Sequence, residues 1–263
     1  MTENYQKLRI VFMGTPEFAV ASLDALVKEG CNIVGVITAP DKQAGRGLQL
    51  QQSAVKKYAI ENDLKVLQPE KLKDPAFIEE LKALKADLQT VVAFRMLPEI
   101  VWNMPTLGTI NVHGSLLPQY RGAAPINWAV INGEKFTGVT TFKLQHDIDT
   151  GNILLSEKIP IDKDETAGEL HDKMKETGAS LVLKTLKGLS LNQLQETPQP
   201  DANELKPAQL KSAPKILTET CRINWGRPVQ EVYNLIRGLS PSPAAFTRLQ
   251  DKTIKIFSTV GIM

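Results

Sequence analysis

The sequence predicts an α/β fold with a mostly parallel sheet, followed by a smaller unit that also contains strands. Three observations predict it. Short, nearly all-apolar runs alternate with helical patterns through the first half of the chain. After residue 136 the runs lengthen and begin to mix polar with apolar residues. A polar, proline-rich stretch then sets the last residues apart. Nearly all-apolar strands separated by helices are the mark of a parallel sheet covered on both faces.

The elements follow in order. Residues 8–13 (LRIVFM) form a buried strand that Gly14 ends. Thr15 is placed to cap a helix, Pro16 suits its first position, and Glu17 suits the positive end of the helix dipole. Residues 16–29 show helical spacing through Phe18, Leu23, Leu26 and Val27, and a second strand follows at 32–38. Helical signals lie near 51–62 and 74–86, and strand signals near 64–67, 88–93 and 108–113. Residues 137–145 and 153–160 read as an antiparallel pair, with a long helix at about 166–188. Residues 1–190 form the catalytic unit, and 191–215, rich in Gln, Pro, Lys and Asn, form a linker. Residues 216–263 form the smaller unit: a strand at 221–224, a helix at 227–238, a proline-rich turn at 240–243, and strands at 244–249 and 253–259.

The chain has 263 residues, enough for one large domain or two modest ones. It carries 31 Lys+Arg and 29 Asp+Glu, a net charge of +2. That balance excludes a strongly basic nucleic-acid coat and an acidic tail. The balance is uneven along the chain: residues 1–205 hold 22 basic and 26 acidic side chains, residues 206–263 hold 9 and 3. The apolar stretch Ile10–Met13 is too short for a signal segment or a membrane span. Cys31 and Cys221 stand alone, as reduced structural thiols of a cytoplasmic protein do. No coiled-coil or apolar stripe marks an oligomer interface, so a monomer is expected.

Three stretches carry chemistry. Asn111 and His113 lie two apart at the end of a strand, so they point to the same side. An amide can hydrogen-bond an oxyanion and an imidazole can move a proton, which are two needs of acyl transfer. A lone Asn-x-His is also how a satisfied core pair looks. The second stretch is His146–Gly151 (HDIDTG). Counted from Asp147, its glycine falls at position 5 and Lys158 at position 12, so it fails as a calcium loop. Histidines 113, 146 and 171 lack metal-ligand spacing, and no metal is expected. Asp149 can instead orient His113 and fix its tautomer, while Asp147 reads as a solvated turn residue. The third stretch is the loop 39–50, where Gly45 and Gly47 flank Arg46 with Lys42 nearby, as a phosphate contact or as a plain surface loop. Neither GxGxxG nor GxxxxGK[ST] is present, which argues against a nicotinamide or ATP enzyme.

Taken together, MGTPEF (13–18), PDKQAGRG (40–47), NVHGSLLPQYRGAAPINW (111–128) and DIDTGN (147–152) resemble the methionyl-tRNA formyltransferases, within the wider group that uses 10-formyltetrahydrofolate. A weaker likeness continues through INWGRPVQEVYNLIRGLSPSP (223–243). The resemblance implies a Rossmann-like formyltransferase domain followed by an OB-like, tRNA-binding β-barrel. It puts Asn111, His113 and Asp149 on the catalytic trio. It puts Ser115, Leu116, Leu117 and Pro118 on a folate-contacting turn, with Phe94, Met96 and Leu97 on the folate pocket wall. It puts Lys42, Arg46 and Arg121 against the initiator methionyl-tRNA. The family usually has Tyr-Gly where this chain has Phe94-Arg95. Family members usually continue beyond residue 263, and an OB-like barrel needs about five strands, so the barrel is expected to be incomplete. Other readings stay open on the sequence: a formyl-folate enzyme acting on a sugar nucleotide or glycinamide ribonucleotide, and a non-catalytic tRNA- or folate-binding protein.

Overall fold

In the computed structural model, residues 4–44, 49–200 and 210–259 are described. After a short helix α1 (Asn4–Lys7), every residue of strand β1 (Ile10–Gly14) is buried. Its side chains alternate, Ile10 and Phe12 into one apolar cluster and Val11 and Met13 into another. A strand apolar on both faces has to sit inside a sheet sandwiched by helices. Next come helix α2 (Glu17–Lys28), strand β2 (Ile33–Ile37), a hairpin of β3 (Lys42–Ala44) and β4 (Gln49–Gln51), helix α3 (Ala54–Glu61) and strand β5 (Val66–Leu67). Helix α4 (Pro75–Ala83), strand β6 (Leu88–Val92), helix α5 (Glu99–Trp102) and strand β7 (Thr109–His113) continue the alternation. Strand β8 (Arg121–Gly122), helix α6 (Pro125–Ile131), strands β9 (Phe136–Lys143) and β10 (Ile153–Pro160) and helix α7 (Ala167–Ser190) complete the larger unit.

The main sheet has the order β10-β9-β7-β6-β1-β2-β5. The five strands from β7 to β5 are parallel, and β9 and β10 are antiparallel to their neighbours. Helices α2, α3 and α7 cover one face with Leu23, Leu26, Val55, Leu170 and Met174. Helices α4 and α5 cover the other with Phe77, Ile78, Leu81 and Val101. Each large side chain so buried contributes about 1.5–3 kcal/mol. The chain winds outward from β1 to β2 on one side and to β6 on the other. The crevice at the carboxyl ends of the strands flanking that reversal is where such sheets bind ligands, and His113 at the end of β7 lines it.

Strand β11 (Ser212–Ala213), a 3-10 turn at Glu219–Cys221, helix α8 (Val229–Gly238) and the hairpin of β12 (Ala245–Leu249) and β13 (Lys252–Ile256) follow. A small cluster of Cys221, Ile223, Ile236, Leu239 and Ala245 holds the elements after β11 together, while Ala213 of β11 packs into the core of the larger unit. Helix α8 lies directly on α6: a Cβ on Gly238 would come within 2.9 Å of the Ile131 nitrogen.

Three local expectations change. Pro16 takes the N-cap position of α2 rather than its first turn, and Thr15 does not cap it, because Pro16 is extended and its own carbonyl accepts from Ala19 N–H. The stretch 39–50 is partly a hairpin, and the turn 45–48 lies outside the described residues. In place of a strand at 221–224 there is the 3-10 turn and one isolated bridge between Arg222 and Phe246. The pairing of β8 with β11 joins segments 90 residues apart that have no strand pattern. No helix among the described residues is long and apolar enough to cross a membrane.

Both cysteines are free and buried. Burial, with Glu29 nearby, pushes the Cys31 thiol up from its ordinary 9.0 to about 11. Folded chain therefore keeps a proton that unfolded chain releases between those values, so this group makes stability fall as pH rises through that window. Iodoacetamide at pH 8 should label Cys31 far more slowly in folded than in denatured chain, as mass spectrometry would read; equal rates would contradict the burial.

Candidate active site

Strand β7 ends at the crevice and delivers Asn111 and His113 to it, two residues apart on one side. His113 Nε2 lies 2.8 Å from the Tyr120 carbonyl oxygen. A carbonyl can only accept, so Nε2 carries the hydrogen and Nδ1 holds the lone pair. Nδ1 faces Asp149 Oδ2 at 3.7 Å. That is too long for a hydrogen bond, and with Nδ1 unprotonated there is none to make. Once Nδ1 gains a proton, the carboxylate is in place to stabilise the cation. The two side chains are only 7% and 12% exposed, so water screens that attraction weakly.

Both flanks of the imidazole are held in unusual backbone. Tyr120 has φ 58° and Asp149 has φ 54°, the left-handed region that costs a residue with a Cβ about 1–2 kcal/mol. Tyr120 is secured by its buried ring, by a 2.6 Å hydrogen bond from its hydroxyl to Glu134 Oε1, and by its N–H to the Lys211 carbonyl at 2.6 Å. Burial and Glu134 push its phenol well above the ordinary range. Asp149 Oδ2 accepts from the Gly122 N–H at 2.9 Å. Two glycines permit the arrangement. Gly122 has φ 123°, and a Cβ there would stand 2.5 Å from the Ala213 carbonyl oxygen. A Cβ on Gly151 would collide with the Lys143 carbonyl oxygen.

Asn111, His113 and Asp149 open on a cavity of about 780 Å³. One wall is apolar, with Phe94, Leu97, Trp102 and Ile148, and suits a flat ring system. Phe18, Ala167 and His171 also line the cavity, as do Ser240, Pro241 and Ser242 from the smaller unit. Asp147 and His146 sit at the rim, both more than four-fifths exposed.

The trio is therefore brought together, and Phe94, Met96 and Leu97 join it in the cavity lining. Met96 is 73% exposed, so it serves the mouth. Ser115, Leu116, Leu117 and Pro118 are not in that lining. Their turn packs beneath the end of β7, where the Ser115 hydroxyl donates to the Gln119 carbonyl and the Leu117 N–H donates to Thr140 Oγ1. Arg121 does not line the cavity either. Its guanidinium donates to Gln199 Oε1, and burial pulls it down against the opposing pull of Asp149. Lys42 is exposed on β3, and Arg46 lies outside the described residues. Lys56, near both in sequence, is paired with Asp41 at 2.5 Å, and that pair holds the Asp41 carboxyl below its usual range.

Sequence reasoning passed over Tyr120 and Gln199. Tyr120 acts through a carbonyl, which every residue type has. Gln199 lies in a polar stretch with no periodicity.

Residues 8–186 match the family described as Formyl transferase. The chain belongs to the formyl transferase family. Residues 215–261 match the C-terminal domain of formyl transferases. Among curated relatives, the chain is 58% identical to the methionyl-tRNA formyltransferase of Bacteroides thetaiotaomicron over 93% of this chain and 75% of that protein. It is 54% identical to that of Flavobacterium johnsoniae over 96% and 80%. Among solved structures, the N-formyltransferase of Helicobacter canadensis, in complex with folinic acid and dTDP-3-aminofucose, matches with TM-score 0.70 and 23% identity over 95% of this chain and 86% of that one. A sugar N-formyltransferase from a Shewanella species matches with TM-score 0.70 and 17% identity over 97% and 99%. These two likenesses speak for the formyl transferase fold.

In this formyl transferase, Gly151→Ala should lower the unfolding free energy by about 1–3 kcal/mol, the usual cost of forcing extra volume into a packed place. Chemical denaturation measures it, and an unchanged midpoint would refute the close approach to Lys143.

Proposed function

We propose that the chain transfers the formyl group of 10-formyltetrahydrofolate to the α-amino group of initiator methionyl-tRNA. The observation that carries this reading is the imidazole with its tautomer fixed by Tyr120 and a carboxylate waiting at the other nitrogen. The names of relatives at 54–58% identity support the choice of acceptor. The apolar wall of Phe94, Leu97 and Trp102 fits the folate ring system.

The α-amine attacks the formyl carbon, and the carbonyl oxygen takes up negative charge in a tetrahedral intermediate. The Asn111 amide donates to that oxygen, a contribution of about 3–4 kcal/mol when aligned. His113 Nδ1 takes the proton that the attacking nitrogen must lose, and Asp149 stabilises the imidazolium. The same nitrogen returns the proton to N10 as the carbon–N10 bond breaks, leaving tetrahydrofolate and the formylated amine. General acid–base catalysis of this kind is worth about 10²–10⁴-fold.

The acceptor's polyanionic body is held by Lys42, by Arg46 and by the basic stretch 206–263. The engagement of Arg121 with Gln199 argues that it contributes to this surface only after that contact is released. Ser115–Pro118 lie outside the cavity lining, so their part is to support the turn that follows His113. We infer a monomer working in the cytoplasm.

Single-turnover formyl transfer with labelled donor tests the reading. His113→Ala and Asn111→Ala should each slow transfer about 10²–10³-fold while methionyl-tRNA binding persists. Near-wild-type rates in either would remove that residue from its role, and faster formylation of a dTDP-amino sugar than of methionyl-tRNA would replace the acceptor. Methionyl-tRNA affinity should fall steeply between 50 and 200 mM salt, as counterion release requires, whereas donor binding should not; parallel slopes would count against the basic stretch.

A further inference from the structure

The stretch between the two units does more than join them. Thr197 and Ile153 exchange backbone hydrogen bonds at 2.9 and 2.8 Å, so the chain runs beside β10 and past the Asp149 loop. Two residues on, both ends of the Gln199 amide are in use. Nε2 donates to the Asp149 carbonyl at 2.9 Å and to the Gly151 carbonyl at 2.7 Å. Oε1 accepts from Arg121 Nη2 at 2.6 Å and from Nε at 3.2 Å. Arg121 precedes Gly122, whose N–H holds the Asp149 carboxylate.

Gln199 therefore ties together the two backbone segments that meet at Asp149. Among the described residues, no other side chain donates to the carbonyls of Asp149 or Gly151. Asp149 itself is in the left-handed region, a conformation that persists only where its surroundings impose it. We propose that Gln199 is a positioning residue. By fixing the Asp149 backbone and the Arg121–Gly122 strand together, it sets the carboxylate against His113 Nδ1, so the joining stretch takes part in assembling the catalytic centre. A simple anchor for that stretch would need only the contact with Arg121. The two bonds from Nε2 are spent on the loop that carries Asp149.

The activity arm of the test rests on the formyl-transfer reading, and a second arm does not. In the full chain, Gln199→Ala should slow single-turnover transfer about tenfold to a hundredfold, the scale of an ångström's misplacement, with donor affinity unchanged. The Gly122 amide should exchange its hydrogen faster, as nuclear magnetic resonance would read. Gln199→Glu keeps an acceptor for Arg121 but puts a carboxylate against two carbonyls, so it should be as slow as the alanine variant. Trp128→Phe removes a different tether, the indole N–H to the Pro214 carbonyl at 2.7 Å, and should leave both readouts unchanged. Wild-type rate and wild-type Gly122 exchange in Gln199→Ala would overturn the proposal. So would full activity in Gln199→Glu, or an equal loss in Trp128→Phe. Should the wild-type chain fail to formylate methionyl-tRNA, the function falls while Gly122 exchange still decides the role of Gln199.

Discussion

The hydrogen bond from His113 Nε2 to the Tyr120 carbonyl decides which nitrogen of the imidazole is free to act. Everything around the cavity is arranged to keep that bond and what faces it. Strand β7 carries His113 to the edge of the sheet. The turn of Ser115–Pro118 reverses the chain beneath it, so that Tyr120 returns its carbonyl to the ring only seven residues later. Tyr120 must adopt a left-handed backbone to do so, and its hydroxyl, its N–H and its buried ring together outweigh that cost. Without the bond the neutral ring could place its hydrogen on Nδ1, pointing at Asp149 and unable to take a proton from the cavity.

The smaller unit is fastened to the larger one by buried polar contacts. Arg237 donates through Nη1 to the Glu165 carbonyl and through Nε to Asn234 Oδ1, both at 2.9 Å. Asn127 donates to the Gly238 carbonyl, and the Gly168 N–H donates to the Ser240 carbonyl. Buried guanidinium is tolerated only when so satisfied. These bonds set Ser240–Ser242 in the cavity lining with Ala167 and His171.

Much of this was legible in the sequence, for definite reasons. The parallel strands announce themselves because burial on both faces demands unbroken apolar runs such as Ile10–Met13 and Val91–Val92. Asn111 and His113 are legible because a strand's period of two puts them on one side. Asp149 is legible as a loop carboxylate able to orient His113, and the resemblance points to the same residue. What stayed hidden is what backbone atoms and long-range pairing do. Nothing in the letters of residues 121–122 and 212–213 tells that they pair, since two-residue strands have no pattern. Tyr120 contributes a carbonyl, and Gln199 one amide side chain among several in a polar stretch. The strand expected at 221–224 failed for a related reason: Cys221 and Ile223 do bury their side chains, but burial alone does not supply a strand partner along their length.

The place of Ser240–Ser242 in the cavity lining has a consequence for the order in which the protein comes into being. The ribosome delivers the chain from its amino end, and the sheet with Asn111, His113 and Asp149 is complete once β10 and α7 have emerged. The strand β11 that pairs beside Gly122 comes after that, and Ser240–Ser242 come later still. A nascent chain thus holds its reactive groups before it holds the chamber around them.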